Sequence, residues 1–377
     1  MNLAIRDIRH NLGRFLLTCV GVSLLLSVVM SMIGIYRGLV VEALTIARAP
    51  AAHLWVVEAN SRGPFAETSR IPGDVRELVL RIAGIVESGA LTYQSAEVEH
   101  RGRKLRLYLV GYEPGRLGGP PNLVEGRPIS QSRFELVADS AAGFILGEQV
   151  KLGRSMFAVV GLTRGQVSSG GDPVVYLTLR DAQKLQFELA PPAARRELAR
   201  GGAGVNSDIV NAVVARVSDN IPLSNLTESV KRWKHLSALT HDEQETILTR
   251  SVIERARRQI GLFTSILLLV STVIIALIIY TLTIDKMREI ATLKLIGAPD
   301  RTIIGLIVQQ ALAMGAVGFL FATAFVHAIR PYFPRRVELL TGDAGALAAV
   351  LLLICLVASG LAVRFALKVD PATALGG

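Results

Sequence analysis

The sequence predicts an α-helical membrane protein with four transmembrane helices and a large mixed α+β domain inserted between the first and second. Three observations carry this. Only 19% of the 377 residues are charged, against about 25% in a soluble domain. The deficit is concentrated in four runs, each with at least 20 residues lacking Asp, Glu, Lys and Arg, and about 20 helical residues cross a hydrocarbon core. Between the first two runs lies a long segment with strand and amphipathic-helix patterns.

The elements follow in order. Residues 1–14 read as an amphipathic helix on the membrane surface. Ile5, Ile8 and Leu12 share one side, continued by Phe15, and Arg6, Arg9, His10 and Arg14 hold the other. It can anchor the first span, touch a cytoplasmic partner, or do both. The first run, Phe15 to Tyr36, is about twice the length of a signal-peptide core, so it is read as an uncleaved span. No Gly or Pro separates Leu39 from Ala49, so residues 15–49 are read as a span and a stalk.

Residues 50–236 read as the α+β domain. Strands are expected at Leu54–Glu58, around Val98, at Leu105–Val110, Phe157–Leu162, Val174–Leu177 and Ile209–Arg216. Helices are expected at Pro72–Ala83, capped by Asp74 or the preceding turn, and at Leu179–Leu189. Gly111–Pro128 and Val167–Pro173 read as loops. The apolar content suffices for a core of its own, with room for two subdomains.

Residues 237–284 read as a second stalk and span. From Thr240 to Ile284 there is no proline, and Gly261 is the one glycine. Such a helix would reach about 68 Å, roughly twice the hydrocarbon thickness. Ile253, Ala256, Ile260 and Phe263 follow heptad spacing, continued by Leu267. Two projecting helices with an apolar seam suggest a lever; the alternative is a seam that packs on the chain's own domain. Residues 285–301 form a linker and 302–329 the third span, where Gly305, Gly315 and Gly318 allow a bend. Residues 330–343 are a short loop, 344–363 the fourth span and 364–377 a tail.

The net charge of +10 comes without zinc-ligand or RNP-type motifs, so no nucleic-acid partner is expected. Anionic membrane lipid is the simpler partner of these basic residues. Cys19 and Cys355 lie inside apolar runs and read as small membrane residues. Basic residues flanking the spans number nine on each side, so charge leaves orientation undecided; Arg6, Arg9 and Arg14 favour termini inside.

Catalytic signatures are missing. There is no G-x-x-x-x-G-K-[ST], hence no phosphate-cradling loop. Ser168-Ser169-Gly170-Gly171-Asp172 sits between two expected strands and reads as a hairpin turn. His235 and His241 lack metal-site spacing, and no nucleophile motif occurs. The chain is expected to be non-catalytic and to bind no metal or cofactor.

The linker is the informative stretch. Met287-Arg288-Glu289-Ile290-Ala291-Thr292-Leu293-Lys294-Leu295-Ile296-Gly297-Ala298 reads as one short helix. Gly297 can take the left-handed position at its end, Pro299 blocks continuation, and Asp300 can cap the third span. Its apolar residues are not confined to one face, which suits a helix held between a partner and the membrane.

This stretch resembles the R-E-I-[GA]-[TI]-L-[KR]-[AL]-[LI]-G-A element of MacB/FtsX-type (type VII) ABC transporter permeases, through Arg288, Glu289, Ile290, Ala291, Leu293, Lys294, Gly297 and Ala298. Gly147-Glu148-Gln149-Val150-Lys151-Leu152-Gly153, then Phe157-Ala158-Val159-Val160-Gly161, is similar to the family's G-D-x-[VI]-x-[LV] and F-x-V-V-G pattern. Asp370-Pro371-Ala372-Thr373-Ala374-Leu375 is similar to its D-P-x-x-A-L close. These 377 residues carry no ATPase motif, so a separate ATPase is expected and the layout resembles DevC or the permease half of a MacB-like system.

The resemblance implies a bacterial inner-membrane permease with cytoplasmic termini and an extracytoplasmic domain. A separate ABC ATPase would carry ATP and Mg, and a second permease copy would complete a homodimer. The linker would be the coupling helix, with Arg288, Glu289 and Lys294 giving polar contacts to the ATPase and Ile290 and Leu293 apolar ones. Replacing Glu289 by Lys and Leu293 by Asp would then uncouple ATPase activity from transport. Mechanotransmission would drive export of a lipid, lipopeptide or drug-like substrate with a periplasmic adaptor and an outer-membrane channel. FtsX-like regulation of cell-wall hydrolases and LolC/LolE-like lipoprotein extraction are the alternatives.

Overall fold

The computed structural model describes residues 12–131, 133–189, 208–218, 221–333 and 336–368. The amphipathic helix expected in residues 1–14 lies almost entirely outside these. Among the described residues the helices are α1 Leu12–Arg48, α2 Val75–Leu80, α3 Leu179–Leu189, α4 Leu223–Lys231, α5 His241–Leu248, α6 Glu254–Asp285, α7 Met287–Leu295, α8 Asp300–Ile329 and α9 Thr341–Lys368. Four of them are long and apolar enough to cross a membrane, over Phe15–Arg48, Ala256–Asp285, Asp300–Tyr332 and Thr341–Arg364. The chain divides into a helical unit, up to Gly38 and again from Ala256 onward, and a sheet unit, Leu39–Arg255.

In the helical unit, Cys19, Val22, Leu26 and Met30 of α1 share an apolar cluster with Ile303, Ile307 and Met314 of α8 and Leu351, Cys355 and Ala358 of α9. Hydroxyls within the spans donate to carbonyls of their own helix, as Thr18 does to Phe15 at 2.7 Å and Ser359 to Leu356 at 2.9 Å. Lipid offers no other partner for such groups. α8 runs for 30 residues as one helix through all three glycines. Gly315 and Gly318 give close approach to Cys355 and Val22. Residues 336–343 clasp α1. The Glu338 N–H donates to the Gly34 carbonyl at 3.0 Å, and Arg37 donates through both arms of its fork to Asp343 at 2.8 Å.

The strands of the sheet unit are β1 Leu54–Glu58, β2 Ile71–Pro72, β3 Ile85–His100, β4 Arg103–Tyr112, β5 Leu123–Gly126, β6 Glu135–Asp139, β7 Gln149–Leu152, β8 Ser155–Thr163, β9 Val174–Thr178, β10 Ile209–Val210, β11 Ala212–Val217 and β12 Leu236–Thr240. Ten form one mixed sheet in the order β12-β1-β11-β3-β4-β9-β6-β8-β5, with β7 beside β8. β2 and β10 form a separate two-stranded sheet. Strand alternation sorts the residues of the larger sheet. Trp55, Val57, Leu91, Tyr93, Val110, Tyr176 and Val214 enter one cluster. Leu54, Val56, Val213 and Ala215 enter another with Val75 and Val79 of α2 and Leu226 and Val230 of α4. Ala182 and Leu185 of α3 pack with Leu107, Leu109, Phe157 and Val175.

The expected strands are present except that Ile209–Arg216 is split at Asn211 into β10 and β11, which join different sheets, and β3 runs 16 residues where only the region of Val98 was legible. The loop reading of Gly111–Pro128 misses β5. The helix expected over Pro72–Ala83 covers Val75–Leu80, and Asp74 makes no side-chain capping bond. Ser168–Asp172 is a tight turn, closed by a Val167–Pro173 bridge and by Ser168 Oγ accepting from the Gly170 and Asp172 N–H groups. It does not join paired strands: β8 and β9 both flank β6.

Candidate functional site

The linker between the second and third spans folds as α7. Its first turn contains Glu289 and its last turn Lys294, each at the end the helix dipole favours. At its close the Ala298 N–H donates to the Leu293 carbonyl and the Gly297 N–H to the Lys294 carbonyl, both at 3.0 Å, with Gly297 at φ +88°. This is a Schellman ending. Pro299 sits at φ −68°, ψ 146° before α8. Asp300 is the first residue of that helix and makes no capping bond, so the cap assigned to it is replaced by Pro299 and a favourable first-turn charge.

The two faces of α7 differ. Ile290 and Ala291 are buried, and Ile290 joins the cluster of Ile279, Ile303 and Ile307. Met287, Leu293, Lys294 and Ala298 are half-buried, whereas Arg288, Glu289, Thr292 and Gly297 are exposed. Leu295 is 62% exposed and Ile296 83%. Arg288, Glu289, Thr292, Leu295 and Ile296 fall at spacings that place them on one side. The Thr292 hydroxyl bonds back to the Arg288 carbonyl at 2.7 Å. Behind the helix, Lys286 Nζ donates to Gln310 Oε1 at 3.2 Å, and burial draws the Lys286 ammonium below the usual lysine range, with Glu289 opposing.

Ile290 is thus an internal anchor of this chain, not the partner-facing contact expected of it. The apolar residues presented outward are Leu295 and Ile296, which the motif reading passed over. The signal was available: they follow Arg288 and Glu289 by seven, about two helical turns.

The series Ile253, Ala256, Ile260, Phe263 begins at a π turn, Thr249–Ile253, between α5 and α6. The helix expected from Thr240 does start there. Thr240 accepts from the Glu243 N–H at 3.2 Å and Glu243 accepts from the Thr240 N–H at 2.8 Å, a capping box. Ile253 is buried, Ala256 and Ile260 are half-buried, and Phe263 is 50% exposed. In the sheet unit, the Arg48 fork at the end of α1 is paired with Glu245 of α5, one arm at 3.0 Å.

Residues 15–232 match the model of the MacB-like periplasmic core domain, and residues 248–371 that of the FtsX-like permease C-terminal domain. An uncharacterized ABC transporter permease of Mycobacterium tuberculosis is 24% identical over 99% of both chains. One of Mycobacterium bovis is 22% identical over 99% of both. Among solved structures, the periplasmic region of MacB from Actinobacillus actinomycetemcomitans is 15% identical, with a TM-score of 0.34, covering 52% of this chain and 91% of that one.

Proposed function

The chain belongs to the MacB/FtsX-type ABC transporter permeases, and from that premise we propose that α7 is the coupling helix through which a separate ATP-hydrolysing subunit drives it. The observation that carries the reading is the division of α7. Ile290 and Ala291 fix it to the chain's own helices, while Leu295 and Ile296 are turned outward beside Arg288 and Glu289. Exposed apolar side chains rimmed by charge are the makings of a protein interface. The linker holding them, residues 286–299, is too short to be a domain of its own.

In this reading the linker and both termini are cytoplasmic and the sheet unit is extracytoplasmic. Two permease copies and two ATPase subunits form the working complex, with ATP and Mg on the ATPases. Nucleotide-driven movement enters at α7 and leaves through α1, α5 and α6 as movement of the sheet unit, which serves export with an adaptor and an outer-membrane channel. The low charge of the spans supports transmission of movement over a polar path through this subunit.

The test is Leu295→Asp combined with Ile296→Asp, in the permease co-purified with its ATPase. Loss of an interface anchor costs about 2 kcal/mol, about thirtyfold in affinity. The ATPase should be lost from the complex while thermal unfolding of the permease changes little, because both side chains are mostly exposed in the chain. Normal ATPase retention and transport would overturn the proposal.

A further inference from the structure

The sheet face opposite α2, α3 and α4 is crossed by a strap, residues 59–70, that contains neither helix nor strand. Its far end is pinned. The Glu58 N–H donates to Ser69 Oγ at 2.9 Å, and Asn211 Nδ2 donates to the Ser69 carbonyl at 2.9 Å. In its middle, Phe65 is half-buried and wedged between two aromatic rings, 5.4 Å from Trp55 and 4.8 Å from Tyr93. Gly63 lies directly against the Gln244 side-chain amide, leaving no room for a Cβ. Beneath the strap are three polar side chains at least nine-tenths buried: Trp55 at 0% exposure, Gln244 at 0% and Tyr93 at 8%. Trp55 Nε1, the Tyr93 hydroxyl and both amide atoms of Gln244 have no hydrogen-bond partner among the described residues. Buried groups of this kind are nearly always satisfied, and an apolar residue in each position would have closed the core without them.

We propose that this slot is a binding site for a ligand carrying a secondary amide beside an apolar group, as in a peptide or an N-acyl amide. The apolar group takes the place of Phe65 between Trp55 and Tyr93. The amide meets Gln244, whose side chain sets an NH2 donor beside a carbonyl acceptor in the pattern a peptide bond complements, and Trp55 Nε1 and the Tyr93 hydroxyl remain as further partners. Phe65 is the segment's own occupant. Displacing it breaks no strand or helix, since residues 62–67 are held by bonds within the strap itself: the Glu67 N–H donates to the Gly63 carbonyl at 3.3 Å and the Glu67 carboxylate accepts from the Arg62 N–H at 3.1 Å.

The chain has two tryptophans, so Trp233→Phe leaves Trp55 as the reporter. The probe is N-acetyl-4-bromophenylalanine methylamide, whose bromine quenches indole on contact, added to the full chain in phosphatidylcholine nanodiscs. Saturable quenching of Trp55 is expected. Gln244→Leu should weaken binding at least tenfold, and Phe65→Ala, which removes the competing ring, should tighten it severalfold. Quenching that does not saturate, or that is indifferent to both substitutions, overturns the site. Should Gln244→Leu fail to fold, the direction of the Phe65→Ala change decides alone. No nucleotide or partner protein is present, so the result stands apart from whether α7 couples to an ATPase.

Discussion

At the scale of single residues, Glu135 shows how a buried charge is held. It is 3% exposed. It accepts from Arg127 Nη1 at 3.1 Å and from the Ser130 and Gln131 N–H groups at 3.0 Å. Arg127 foremost, then these N–H groups, draw its carboxyl from the ordinary 4.5 down to about 2, against the opposing effect of burial. Because the folded value lies below the unfolded one, its contribution is complete above about pH 4.5 and fades as pH falls toward 2. Glu135→Gln should therefore destabilise the sheet unit by about 2 kcal/mol at neutral pH. The difference from the parent should shrink steadily below about pH 4. Denaturant unfolding followed by tryptophan fluorescence at several pH values reads both; a pH-independent difference would show that the charge is not what matters.

Glycines on α1 make a second contrast. A Cβ on Gly38 would overlap the Arg336 carbonyl, whereas one on Gly21 would meet nothing within 4 Å. Gly38→Ala should cost about 2 kcal/mol or more through forced displacement of the clasp. Gly21→Ala should be neutral or stabilising by up to about 1 kcal/mol. Thermal unfolding of both variants in the same detergent decides this, and equal effects would show that the clasp does not hold α1.

At the scale of elements, legibility followed the physics that dominates each one. The four spans were readable because lipid imposes length and composition together. The ending of α7 was readable because Gly297 and Pro299 act locally, through φ and through a missing donor. The burial of Ile290 was not, because it depends on packing against Ile303 and Ile307, which the linker sequence does not specify. β6 was missed because two of its five buried residues are Glu135 and Asp139, whose charges read as surface until their hydrogen-bond partners are known. The first half of β3, with Glu87, Ser88 and Gly89, lacks the β-branched alternation of a typical strand; Gly89 is there because the Leu117 carbonyl approaches too closely for any side chain. The heptad from Ile253 suggested a seam, but from the end of the π turn at Ile253 to Phe263 its residues pass from buried to 50% exposed, and side-chain periodicity does not register which part of a helix face is covered.

At the scale of the whole molecule, the order of spans fixes relations that charge counting left open. The sheet unit follows one crossing and α7 follows two, so if both α1 and α6 span the bilayer the two segments face opposite sides. Nine basic residues on each side balance one another and do not distinguish inside from outside, whereas a coupling role for α7 requires the cytoplasm. The two native cysteines are buried, at 0% and 1% exposure, so they leave little background for thiol labelling. Ile296→Cys, in a position 83% exposed in the chain alone, should react with a membrane-impermeant maleimide in inverted vesicles from cells that make the permease without its ATPase, and not in intact cells or spheroplasts. Arg101→Cys, in the exposed turn between β3 and β4, should show the opposite pattern. Labelling of both from the same side would mean that one helix does not cross. Labelling of Ile296→Cys from outside alone would place α7 beyond the reach of any cytoplasmic ATPase, and the coupling role would fall with it.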